Sequence, residues 1–237
     1  MPNTNIPELL SKFDLHESDF QRIRAAAPVL KRNLDEFIGD FYKWMAQHQE
    51  YRVFFGDNQA RLERVRQLQK VNWITFLDCE IDMKWIEARR HVGAVHAHID
   101  LPNDIYFAGV AVTNNLLADQ VRKSGKEIRD PEQTIASLNK LLFLDACLVI
   151  EEIARISREK IAASSKALME MSTPVTPIWE GILLLPLLGI LDSQRSQDVM
   201  NKTLARIAET RARVFVMDRS EEHTSELQSP YVISYAV

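Results

Sequence analysis

Between Pro131 and Met171 the chain contains neither a glycine nor a second proline. Leu138, Leu141, Leu142, Leu144, Leu148, Ile150, Ile153 and Ile156 recur there at helical spacing. The pattern predicts one helix over about 130–171. That is far longer than a globular domain needs, so its end has to leave the domain or pair with a partner helix. Past Ile156 the apolar residues thin out, and 156–173 reads as a helical linker.

Residues 1–171 as a whole read as almost all helical, with 1–155 as the first domain. Ser18 and Asp19 are placed to cap a first helix, and Pro28 suits the first turn of a second. That second helix carries Leu34, Phe37, Ile38, Phe41 and Met45 on one face. Further helices are expected over about 57–77, with Leu62, Val65, Leu68 and Trp73 inward, over 82–99, and over 103–123. After Pro174 the pattern changes. The runs VTPIW and GILLLPLLG read as strands, 193–210 as a helix with Val199, Met200, Leu204 and Ile207 on one face, and ARVFVMD as another strand. A β-β-α-β order over 174–218 marks a small mixed α/β domain, with too few elements to close a sheet layer. The tail from Arg219 does not continue this pattern. Its first eleven residues, Arg219 to Ser229, are what a widely used sequencing adapter encodes in one frame, so 219–237 is read as non-native.

The net charge of −4 offers no basic excess for a nucleic acid or an anionic membrane. Cys79 and Cys147 stand far apart without a CxxC or CxxCH pattern. That argues against a zinc site and a covalently attached haem, and fits a reducing cytosol. The N-terminus lacks the layout of a signal peptide. The longest apolar run, Ile182–Leu191, is about half a membrane span and reads as a buried strand. A cytoplasmic protein without a membrane segment is expected.

One local constellation carries chemistry. In the helix 82–99, Val92, Val95, His96 and Ile99 fall on one face, while His91 and His98 point elsewhere. No second ligand is spaced to complete a zinc shell with His96. A single imidazole in apolar surroundings can satisfy a core hydrogen bond, or it can serve as the one axial ligand that a b-type haem requires. A phenol on a neighbouring helix can hydrogen-bond an iron-bound oxygen, and Tyr42 beside Phe41 is the candidate; a core tyrosine is the plainer alternative. An oxidative enzyme would need a distal acid–base pair. His48 and His91 are the nearby candidates and are poorly placed, so no enzyme is expected.

HVGAVHAHIDLP resembles the proximal-histidine signature of globin-coupled sensors, and NLDEFIGDFYKWM is similar to their second helix, whose tyrosine contacts bound ligand. The likeness covers about residues 8–155 and departs at Asp100, where the family usually has glycine. It implies a mainly α chain with a sensor-globin fold, His96 as axial ligand of haem b, Tyr42 on a gas ligand such as O2, and Val65 and Leu68 on the distal wall. The stretch from Ser172 to Asp218 resembles the opening of the STAS domain in RsbR-type stressosome scaffolds, which join a globin, a linker helix and this domain. That likeness implies STAS-domain partner proteins and a serine/threonine kinase acting on Ser193, with Ser172 and Thr173 as alternatives. As bare physics Ser193 is a helix cap. The implied function is a haem-based gas or redox sensor in a bacterial stress-response scaffold, the alternative being a globin-fold scaffold without haem. The excess of apolar positions in 103–123 and 130–156 predicts a homodimer through these helices, disrupted by charge at Leu148 or Ile153.

Overall fold

The structure is a computed structural model that describes residues 4–171, 175–187 and 193–218. It divides into two units, Met1–Ser157 and Arg158–Val237.

In the first unit α1 (Ile6–Lys12) starts at Asn5, whose side chain accepts the Glu8 amide. α2 (Glu17–Arg32) starts at His16, whose amide donates to Asp19 at 3.0 Å. Pro28 lies inside α2 rather than opening a helix, and the break falls at Asn33, before α3 (Leu34–Met45). The lost hydrogen bond at Pro28 is outweighed by the stripe Phe20, Ile23, Ala27 and Leu30, which is buried along the same helix. A short helix that the sequence did not announce, α4 (Gln49–Phe54), leads to α5 (Gln59–Asp78). α6 (Met83–His98) is capped by Asp82, which accepts the Trp85 amide at 2.8 Å. α7 (Asn103–Lys123) follows Pro102, and α8 (Pro131–Met171) has the length expected of it.

α2 packs on α5, and α3 packs on both α5 and α7. The main core holds Phe37, Phe76, Leu77, Ile86, Leu138, Leu141 and Leu144, all almost fully buried. Over Pro131–Ser165, α8 is as long and apolar as a membrane span, yet 56% of its 18-residue apolar window is buried inside the molecule. Leu148 and Ile153 are 2% and 8% exposed, so they serve the domain's own core and not a dimer face, contrary to the sequence reading. A period-based reading marks them as apolar without showing which surface they cover.

In the second unit β1 (Thr176–Trp179) turns at Gly181 and pairs antiparallel with β2 (Ile182–Pro186). α9 (Ser193–Thr210) then leads to β3 (Val214–Asp218), parallel to β2, giving the order β1-β2-β3. Leu185, Leu187 and Val199 form its core. Ser193 is exposed and is itself the first residue of α9; the residue before it, Ser172, Thr173 and the tail 219–237 lie outside the described residues.

Candidate functional site

α6 buries Trp85, Ile86, Arg89, Gly93 and Ala97. This is not the stripe the sequence indicated: Val95 is 47% and Ile99 40% exposed. Gly93 and Ala97 carry too little apolar surface to register in a hydrophobic pattern, yet they let α6 approach a neighbour closely. His96 stands beside that stripe, half-buried. Its Nδ1 is shut off from solvent with no hydrogen-bond partner. Burial pushes the imidazole pKa down to about 4, so the ring is neutral at physiological pH with a lone pair to donate. The Tyr106 ring meets it edge-on at 5.6 Å. His91 and His98 are exposed, and His98 Nδ1 lies 2.6 Å from the Ala94 carbonyl oxygen.

The turn after α6 accounts for Asp100. Its φ is +49°, the left-handed conformation that glycine adopts freely and aspartate tolerates. The Leu101 amide donates to the His96 carbonyl at 3.1 Å. This closes α6 in a Schellman-type cap, so Asp100 keeps the turn that a glycine would make.

Tyr42 is buried on α3, edge-on to Phe41 at 5.5 Å and to Phe55 at 5.9 Å. Burial raises its hydroxyl to about 12, so it stays protonated and able to donate. Val65 is half-buried against the same core. Leu68, expected on the inner wall, is 57% exposed, and Val71 near it 58%. Tyr42 and Val65 therefore belong to the main core, while Val92, Ala97, Tyr106, Val149 and Ile153 belong to a second cluster, which meets His96 through Tyr106. The structure thus places His96 on α6 against Tyr106 of the second cluster, and Tyr42 on α3 in the main core. His48 lies against Trp44 with the rings tilted at 59° and their centres 4.7 Å apart. Among the described residues no three His, Cys, Asp or Glu side chains come together as a metal shell. Burial raises both thiols, Cys79 to about 12.

Sequence reasoning missed Tyr106, and it missed Arg89 with Asp145. Arg89 is 4% exposed and donates from Nε to Asp145 Oδ1 at 2.7 Å. An aspartate inside the apolar run of 138–156 was the signal available.

A helical domain with one inward imidazole on its sixth helix is a globin fold of the sensor kind. Comparison with solved structures agrees. The globin domain of the Geobacter sulfurreducens globin-coupled sensor superposes with a TM-score of 0.57 at 13% identity, over 63% of this chain and 98% of that one. The protoglobin family model matches residues 3–158, and the chain belongs to that family. A stretch of 64 residues is 36% identical to the RsbT co-antagonist protein RsbRA of Bacillus subtilis (strain 168), covering 27% of this chain and 23% of that relative. The chain thus combines a protoglobin domain with RsbR-like sequence, and its small C-terminal sheet is consistent with the opening of a STAS domain.

A globin domain implies haem, and the residues present fit one. His96 supplies a neutral imidazole with a buried, unpartnered nitrogen. Leu68 and Val71 on α5, and Val95 and Ile99 on α6, leave apolar surface that the protein itself does not cover. That is the pairing a flat, largely apolar ring held by one protein ligand would call for.

Proposed function

We propose that this protein is a haem b sensor of a diatomic gas, O2 foremost, or of redox state, within a bacterial stress-response scaffold. The observation that carries the reading is the neutral His96 ring, with a buried and unpartnered nitrogen, on the helix that the family uses for its axial ligand. Haem, when bound, supplies an iron atom able to take a gas or change oxidation state. His96 would hold that iron. Tyr42, protonated and buried, would donate a hydrogen bond to bound ligand, with Val65 and Leu68 lining the same side. The protein acts by binding and not by catalysis, in the cytoplasm.

Output would run along α8 to a STAS domain and its partner proteins. Ser193, exposed at the first turn of α9, would accept phosphate from a serine/threonine kinase, where the free amides and dipole of the helix favour the added charge. A second copy would cover the groove of about 680 Å3 lined by Phe13, Phe107, Phe143, Ala146, Cys147 and Ile150. Phe107 and Phe143 are 54% and 60% exposed there, on the two helices named for the dimer.

The test is a spectrum. Protein produced with haem available should show a Soret band, and His96→Ala should lose or severely weaken it. A parent without the band would support the alternative, a haem-free globin scaffold. An unchanged band in His96→Ala would place the ligand elsewhere.

A further inference from the structure

α6 touches α8 along one row of residues. At Gly93 the approach is so close that an added Cβ would sit 2.6 Å from the Val149 carbonyl oxygen and 2.8 Å from Glu152 Cβ. Neither neighbour is the free end of a flexible side chain. Four residues earlier Arg89 bonds Asp145, and four residues later Ala97 is buried with Val149 and Ile153. Positions 89, 93 and 97 of α6 thus meet 145, 149 and 153 of α8, two rows of fourfold spacing set against each other.

A purely apolar row could slide, but this one is fixed at one end by a directional charge pair. Arg89 also donates from Nη1 to Thr75 Oγ1 at 3.2 Å and from Nη2 to the Asn72 carbonyl at 3.3 Å. Its guanidinium lies 4.1 Å from the centre of the Trp85 ring. One buried side chain therefore joins α5, α6 and α8. Separating it from Asp145 would strand a charge away from water, which opposes any movement of α6 that leaves α8 behind. The row also ends beside His96, since Ala97 is its next residue.

We infer that the Arg89–Asp145 pair and the Gly93 contact form a clasp that makes α8 follow any displacement of the His96-bearing helix. The inference rests on the haem reading. Arg89 is a positioning residue: it acts on α8 through α6 and touches no ligand.

The test uses the full chain loaded with haem, reduced, with and without carbon monoxide. Amide hydrogen exchange is followed in peptides covering 141–157 of α8. In the parent, carbon monoxide should change exchange there several-fold. The double variant Arg89→Met with Asp145→Leu removes both charges together, so neither is left buried alone. It should bind haem with the parent's stoichiometry and Soret band, while the carbon monoxide effect on 141–157 falls at least five-fold. Should the double variant not fold, Asp145→Asn keeps the size and weakens the pair, and should at least halve the effect with unchanged helix content. A full carbon monoxide effect in either folded variant would overturn the clasp. So would a haem-loaded parent that shows no effect on 141–157. A parent with no Soret band would fail earlier and separately, at the haem reading, and would remove the clasp's input with it.

Discussion

His96 shows how a single buried group couples folding to pH. Burial lowers its pKa from the ordinary 6.5 to about 4. In the haem-free protein the unfolded chain therefore takes up a proton first as pH falls, and stability is lost between about 6.5 and 4, then levels off. The ceiling on this loss is roughly 3 kcal/mol, because each tenfold change in proton affinity is worth about 1.36 kcal/mol. His96→Leu should unfold in denaturant with a flatter pH profile across that window, and parallel profiles for the two proteins would contradict the burial argument. Tyr42 gives a second residue-scale expectation. Tyr42→Phe keeps the ring contacts with Phe41 and Phe55 and removes one donor. A hydrogen bond to so polar a ligand is worth roughly 1.5–3 kcal/mol, so O2 should leave about ten-fold faster or more in stopped-flow measurements, while carbon monoxide responds less. Equal effects on both gases would assign Tyr42 to pocket shape. His96 and Tyr42 were legible as candidates from the sequence because an imidazole and a phenol stand out in apolar stripes. Arg89 was not, because a charged residue is assumed to face water until its partner on another helix is seen.

Helices were legible where breakers and caps frame them, and less so where small residues do the packing. The limits expected for α5, α6, α7 and α8 lie within two residues of those observed. The α2–α3 break was misplaced because Pro28 resembles a start signal, and the burial along α2 overrides it. The proposed dimer face shows the same limit. Periodicity marked Leu148 and Ile153, whereas the exposed apolar residues on α7 and α8 include Phe107 and Phe143. Phe143→Glu should shift the protein toward monomer in light scattering and leave its melting temperature nearly unchanged. Leu148→Ala, inside the core, should instead cost about 2–5 kcal/mol of stability, with the oligomer kept at permissive temperature. Monomer formation by Leu148→Ala and none by Phe143→Glu would reverse the assignment.

At the scale of the whole molecule the two units meet in sequence within α8, at Ser157 and Arg158. Residues 158–165 are exposed throughout. Brief tryptic digestion should cut at Arg158 or Lys160 and leave an N-terminal fragment that still carries the Soret band; a fragment without it would mean that the haem site needs residues beyond α8's core-facing part. The change of period at Pro174 was the sequence signal for two parts, and the thinning of apolar residues past Ile156 put the end of the first at 155 inside a continuous helix, two residues before the division between Ser157 and Arg158. α8 has 41 residues, roughly 60 Å at 1.5 Å each, with no glycine or proline after its first position. An uninterrupted α-helix keeps phase. Each added residue turns the far end by about 100°, so seven more bring it back to within about 20° of where it was, and two more put it on the opposite side. An insertion or deletion in such a helix therefore changes its angular count without altering a single residue of the globin domain.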